Sequence, residues 1–369
     1  MEFTINKNAL QKELGFVQGT VEKKNTIPEL SNIFIESVGE GTIRITGTDQ
    51  HMTLRCETEA EIKTPGAMCV GARKLFDISR VLPDAPVSFR REENNWASVK
   101  CERSNFRIAG IDPQSFPTVP VFKSAPVKFP ASVFKTFVDR TIFAITLEES
   151  RYTLSGAKFI LDKSGAKMVT TDGHRLAYVE RKDLSAATPS EQVDVLIPRK
   201  TLSELTKLTS SFDGEISLGS DENHIYFEVG TRLLISLTLA GQFPNYEMVM
   251  PKANDKRAEF DSNSLGQAIR RVALMADDRH GVHFSFTPGS LYISSETAEQ
   301  GEAGEAVTTE YGGEETNIRF NAAYLQEFLN VVNEGVVAFE FKDGNSQAQL
   351  RPASDDGYDY RYVVMPMRL

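Results

Sequence analysis

Apolar residues recur on a +4, +3, +4 grid in three places: Leu10, Leu14, Val17 and Val21; Phe134, Val138, Thr141 and Ile145; and Leu265, Ile269, Val272 and Ala276. That spacing predicts a helix with one core-facing stripe in each place, and only Thr141 is not apolar. A short extended segment precedes each stripe, and Pro130 before Ser132 and Asp261 before Asn263 read as helix starts. A second helix follows in every copy. Leu75, Ile78 and Leu82 are answered by Leu202, Leu205 and Leu208, then by Leu325, Phe328 and Val332. Leading positions of the first helix lie 124 and 131 residues apart, and those of the second 127 and 123. Two helices at matched offsets in three copies imply a triplicated unit of about 125 residues.

Period-two alternation fills the intervals. Ile33 and Ile35 lead to a Gly39-Glu40-Gly41 turn and then Ile43 and Ile45. Phe159 and Leu161, Ser164-Gly165, then Met168 and Thr170 repeat the hairpin, as do Phe284 and Phe286, Pro288-Gly289, then Leu291 and Ile293. Strands return after each second helix. The stretch Asp112 to Pro120 resembles Gly241 to Pro251, and their prolines mark two domain ends. The expected domains are therefore 1–122, 123–252 and 253–369. The expected class is α+β, with each domain a sheet covered by helices on one side. Such internal pseudo-symmetry points to an arc, and an arc with complementary ends closes with a second copy.

Composition narrows the class. The 369 residues are 40% hydrophobic and 25% charged, as in globular proteins. No stretch approaches the ~18 apolar residues of a membrane span, and no apolar run near Met1 reads as a signal peptide. Cys56, Cys69 and Cys101 form no CxxC pair, so the expected setting is a reducing cytoplasm. A net charge of −10 argues against a nucleic-acid partner. Its distribution argues otherwise. The helices gather Lys7, Lys12, Lys74, Arg80, Lys135, Arg140, Arg199, Lys200, Lys207, Arg270 and Arg271, whereas many acids fall in strands and turns. Solvation of exposed helix faces explains the same pattern without a ligand.

No phosphate-cradling loop, zinc-protease motif or nucleophile elbow occurs. Asp172 and His174 could orient each other as acid and base, but Gly173 between them reads as a turn. Asp277, Asp278, His280 and His283 match no strong metal-ligand spacing. No catalytic residue, cofactor or metal is expected. The tail from Tyr362 to Leu369, with Met365 and Met367 flanking Pro366, reads either as a last core strand or as the wall of an apolar groove.

GARKLFDI at 71–78, the stretch from Arg151 through Leu154 to Gly156, TDGHRLA at 171–177, IPRK at 197–200, GQFPNY at 241–246 and YVVMPMRL at 362–369 carry a resemblance over essentially the whole chain. Together they resemble the beta subunit of bacterial DNA polymerase III, the sliding-clamp family. The resemblance implies three clamp domains per chain, helices lining the inner face, antiparallel sheets outside, and a closed dimeric ring around duplex DNA. It implies a processivity factor without catalytic activity that tethers the replicative polymerase and other replication or repair proteins, loaded by a clamp-loader ATPase. A three-domain cytosolic protein-binding scaffold that never encircles nucleic acid is the alternative.

Carried onto this sequence, the resemblance puts DNA contacts at Lys24, Arg73, Tyr152 and Thr153, beside the helical cations Arg199 and Lys200. It puts a peptide-binding cleft at Leu154, Thr171, Gly173, His174, Arg175, Leu176, Pro244, Met248, Val249, Val363, Met365, Pro366, Met367 and Arg368. Dimer contacts fall on Phe106 and Ile108 against Leu274 and Met275. Three positions depart from the family pattern: Glu148 replaces a glutamine, Thr153 a tyrosine and Met248 a basic residue.

Overall fold

The computed structural model describes residues 1–21, 27–121, 126–148, 150–185, 192–297 and 301–368. Among them six α-helices form, two per repeat: α1 (Lys7–Val17), α2 (Ala72–Val81), α3 (Ala131–Thr141), α4 (Arg199–Thr209), α5 (Ser262–Val272) and α6 (Ala322–Val332). The Asp261 carboxylate caps α5 by accepting from the Ser264 amide at 2.8 Å. Asn6 and Asn321, which the sequence pattern did not single out, cap α1 and α6 in the same way. Each satisfies amides that the first helical turn leaves without partners.

The stripes hold for three positions and fail at the fourth. Val21, Ile145 and Ala276 lie beyond their helices, which end in short turns one residue or more earlier. Val332 is only half-buried, and Leu329 takes its place in the core. Thr141 is fully buried because its hydroxyl donates to Phe137 O at 2.7 Å, while its own carbonyl accepts from the Thr170 hydroxyl at 2.6 Å.

One expectation is corrected. A repeat does not build one sheet; it contributes half-sheets to two different sheets, five strands to each from the first repeat and four to each from the second and third. In the first repeat the half-sheet ending at Met52–Glu59 joins strand Arg232–Leu237 of the second repeat, giving a nine-stranded sheet. In the second repeat the half-sheet ending at Arg175–Arg181 joins Asp359–Val364 of the third, giving an eight-stranded sheet. A five-stranded sheet ends at Ser104–Ile108 and a four-stranded sheet at Gly301–Thr308. All recorded strand pairs are antiparallel. Contacts divide the chain into two compact units, Met1–Lys135 with Lys200–Thr238, and Thr136–Arg199 with Leu239–Leu369. The division cuts the middle repeat because its half-sheets complete different sheets.

Each unit has its own aromatic core. Phe3 stacks on Phe89 at 4.8 Å in the first, and Phe284, Phe286, Phe320, Phe339 and Phe341 interlock in the second.

Candidate functional site

In the second unit, strand Arg175–Arg181 pairs on one side with Gly165–Thr171 and on the other with Asp359–Val364, setting Leu176 opposite both Thr171 and Val363. The segment after Leu239 crosses this face, burying Phe243 against Val169, Tyr178 and Leu196. A cavity of about 120 Å³ remains between segment and sheet. Its walls are Leu154, Thr171, Gly173, His174, Arg175, Leu176, Pro244, Asn245, Tyr246, Val249, Val363 and Met365.

Ten of the fourteen expected cleft residues thus come together, and four do not line the cavity. Met248 ends a short helical turn at Tyr246–Met248 and is 78% exposed. Pro366 and Met367 are half-buried beyond the cavity, with the Met367 amide tied to Arg319 O at 2.7 Å, and Arg368 is exposed. Asn245 and Tyr246 were missed, although both stand in the GQFPNY stretch. Tyr246 packs its ring 6.0 Å from that of Tyr178, a long-range contact with no local signal.

The turn beside the cavity explains why Asp172 and His174 are not an acid and base. Gly173 adopts φ +89°, and Asp172 Oδ1 accepts from the His174 and Arg175 amides at 2.9 and 3.0 Å. Asp172 Oδ2 pairs with Arg175 Nε at 3.1 Å. The His174 ring instead stacks near Tyr324 at 6.5 Å. The Arg175 guanidinium is likewise occupied, reaching Asp172, Glu327 and Phe143 O. It braces the wall rather than offering a free rim contact.

The expected DNA contacts differ among themselves. Arg73 is exposed on α2 and makes no salt bridge to a described residue; Tyr152 is 54% exposed. Thr153 packs beside Gly241, where an added Cβ would sit 2.8 Å from its methyl group. Arg199 donates to the carbonyls of Ile142 and Ile145 at 3.2 Å, and Lys200 pairs with Asp49. Lys24 lies outside the described residues. The wider helical set is also partly neutralised: Arg140 pairs with Asp356, Lys207 with Glu204 and Arg271 with Glu305. These pairs reduce the free positive charge of the basic helical surface that the sequence suggested.

Phe106 and Ile108 stand on the edge strand Ser104–Ile108, half-buried. Leu274 is 73% exposed and Met275 half-buried on a short turn after α5. Asp277 accepts from the Arg279 and Gly281 amides and pairs with Arg319, a loop-closing role. Among the described residues no group of three His, Cys, Asp or Glu could hold a metal, and no helix is long and apolar enough to cross a membrane.

Three family models tile the chain: the N-terminal domain of the DNA polymerase III beta subunit over residues 1–120, the central domain over 128–245 and the C-terminal domain over 247–368. The chain belongs to the DNA polymerase III beta subunit family. It is 36% identical to the beta sliding clamp of Pseudomonas aeruginosa and 32% identical to that of Escherichia coli K12, covering 100% of both chains in each comparison. The crystal structure of the DNA polymerase III subunit beta from Pseudomonas aeruginosa covers 100% of each chain with a TM-score of 0.94 and 36% identity. A structure from Bartonella birtlesii, 30% identical, also has a TM-score of 0.94 over 100% of each chain. The three repeats are therefore clamp domains, and the chain is a DNA sliding clamp of replication, a non-catalytic processivity subunit of the polymerase. The relatives give the scaffold alternative no support.

Proposed function

We propose that two copies pair head to tail, close a ring around duplex DNA, and receive short peptides of replication and repair proteins in the cleft at Leu176. One observation carries this reading. Within the chain, the last strand of a repeat's first half-sheet always pairs with the last strand of the next repeat: Met52–Glu59 with Arg232–Leu237, and Arg175–Arg181 with Asp359–Val364. Gly301–Thr308 and Ser104–Ile108 are each left at the edge of a sheet, without such a partner strand among the described residues. A second copy supplies both, and two equivalent joints close the ring. Exposed Arg103 beside one edge complements exposed Glu302 on the other. Phe106 and Ile108 then meet Leu274 and Met275.

On this reading the domains occupy 1–122, 123–252 and 253–369, and the helices face the duplex. Arg73 and Tyr152 make the strongest contacts, with Lys24, Thr153, Arg199 and Lys200 beside them; phosphates are neutralised without base readout. The −10 net charge keeps direct affinity low, so topology retains the DNA. Opening the ring falls to an external clamp-loader ATPase, in the cytoplasm. The 120 Å³ cavity is smaller than the ~300–1,000 Å³ of whole-ligand pockets and takes one large apolar side chain of a partner peptide.

Loading onto nicked circular DNA, followed by linearisation, tests the reading. Clamp retained on circles in moderate salt and lost from linear ends is the expected result. Equal loss from both forms rejects topological retention.

A further inference from the structure

Behind the cleft wall lies a contact that the cleft assignment does not include. The Glu327 carboxylate, on α6, meets the Arg175 guanidinium. That guanidinium also donates to Phe143 O at 2.7 Å and lies between two rings, 5.6 Å from the centroid of Phe143 and 4.4 Å from that of Tyr324. Its Nε holds Asp172, whose other oxygen accepts from the His174 amide. The His174 carbonyl in turn accepts from the Met365 amide at 2.9 Å. A continuous polar chain therefore runs from α6 through Arg175 and Asp172 to the His174 amide, on the turn that walls the cavity.

We propose that Glu327 is a positioning residue of the peptide cleft, fixing through Arg175 and Asp172 the Gly173–His174 turn that forms one of its walls. The proposal rests on the peptide-binding reading. Arg175 is only 8% exposed, so its charge depends on fixed partners, and Glu327 supplies one of them from another element. Removing that charge leaves Asp172 as the one carboxylate among the described residues against the guanidinium, beside the Phe143 carbonyl. Asp172 then shifts toward Arg175, its hold on the His174 amide loosens, and the cavity loses its set width. Glu327 itself does not line the cavity; it lines a neighbouring, more open space of about 370 Å³ that shares His174 and Arg175 with it.

The test uses the full-length protein, a fluorescent peptide bearing one leucine and one phenylalanine, and the variants Glu327→Gln and Glu327→Asp. Affinity is measured by anisotropy and the Gly173 and His174 amide resonances by NMR, well below the thermal transition. Glu327→Gln is expected to weaken the peptide about three- to ten-fold and to shift both resonances, with Glu327→Asp recovering most of each. Unchanged affinity and resonances in Glu327→Gln, with the unaltered protein binding normally, overturn the proposal. So does equal weakening in both variants without a shift at Gly173 or His174, since that marks a general loss of stability. Failure of the unaltered protein to bind the peptide overturns the cleft reading instead.

Discussion

The two joints between repeats share one backbone plan and differ in what they present. In both, an Asp after a hairpin strand accepts two turn amides: Asp49 from His51 and Met52 at 2.9 and 2.6 Å, Asp172 from His174 and Arg175. In both, the strand after that turn joins the last strand of the next repeat. At the first joint the cross-strand pair is Thr48 and Thr53, buried and bonded hydroxyl to hydroxyl at 2.8 Å, beside Ile235. At the second the corresponding pair is Thr171 and Leu176, beside Val363. A leucine in place of one threonine supplies an apolar wall, while the Thr171 hydroxyl donates to the Arg175 carbonyl as that of Thr48 does to the Met52 carbonyl. Repetition of a fold thus supplied two equivalent surfaces, and the side chains at this cross-strand pair make one polar and the other apolar.

The joints are also locked differently. Glu13 on α1 and Arg232 form a buried bidentate pair at the first, with Arg232 4.5 Å from the Phe16 ring centroid. At the second, Arg140 pairs with Asp356 and lies against Tyr358 and Tyr360. Breaking the first lock should have the largest effect. Glu13→Ala leaves Arg232 buried without its acid, and an unfolding free energy about 3 kcal/mol lower in urea titration is expected. A loss below about 1 kcal/mol would mean that the pair contributes only as a surface bridge does.

Next comes conversion of the apolar pair at the second joint into the polar one of the first. Leu176→Thr should weaken a leucine-bearing peptide by about 2 kcal/mol, roughly thirty-fold, in anisotropy titrations. An unaltered affinity would place the anchor elsewhere.

A smaller effect separates two equivalent turns, Asp221 to His224 in the first unit and Asp343 to Ser346 in the second. Burial opposes ionisation of Asp221, but the Tyr226 hydroxyl at 2.6 Å and the Asn223 and His224 amides pull its carboxyl down to about 2. Asp343 is lowered by the Asn345 and Ser346 amides and the Ser346 hydroxyl, without a tyrosine. A carboxyl depressed below its unfolded value of ~3.9 stabilises above that pH and loses the contribution as pH falls toward 2. Asp221→Asn should therefore cost about 1 kcal/mol at pH 7, allowing for solvent screening, and almost nothing near pH 2. Asp343→Asn should cost less. Urea titrations at both pH values decide it, and a cost for Asp221→Asn that persists at pH 2 removes the carboxylate from the explanation.

Much of this architecture was legible in the spacing of residues. The helix stripes, hairpins and glycine turns are local patterns, and they predicted two helices per repeat correctly. Which strands pair across repeats was not legible, because Met52–Glu59 finds its partner in Arg232–Leu237 far along the chain and nothing local in either strand names the other. The cleft was legible only through its family motifs, which brought together residues from Leu154 to Met365. The partners of Arg175 were not legible, because Glu327, one of them, lies 152 residues away. Lys200 and Arg199 looked like free cations for the same reason: Asp49 and the Ile142 and Ile145 carbonyls are neighbours only in the fold.

Both observed joints imply a third between copies, and sedimentation equilibrium tests that claim most directly. The unaltered chain at micromolar concentration should behave as a single species of twice 41.0 kDa. Leu274→Asp should shift it to the monomer, since a carboxylate at an apolar joint loses hydration without gaining a partner. A monomeric unaltered chain at that concentration, or a dimer indifferent to Leu274→Asp, would contradict a joint built from the edges Ser104–Ile108 and Gly301–Thr308.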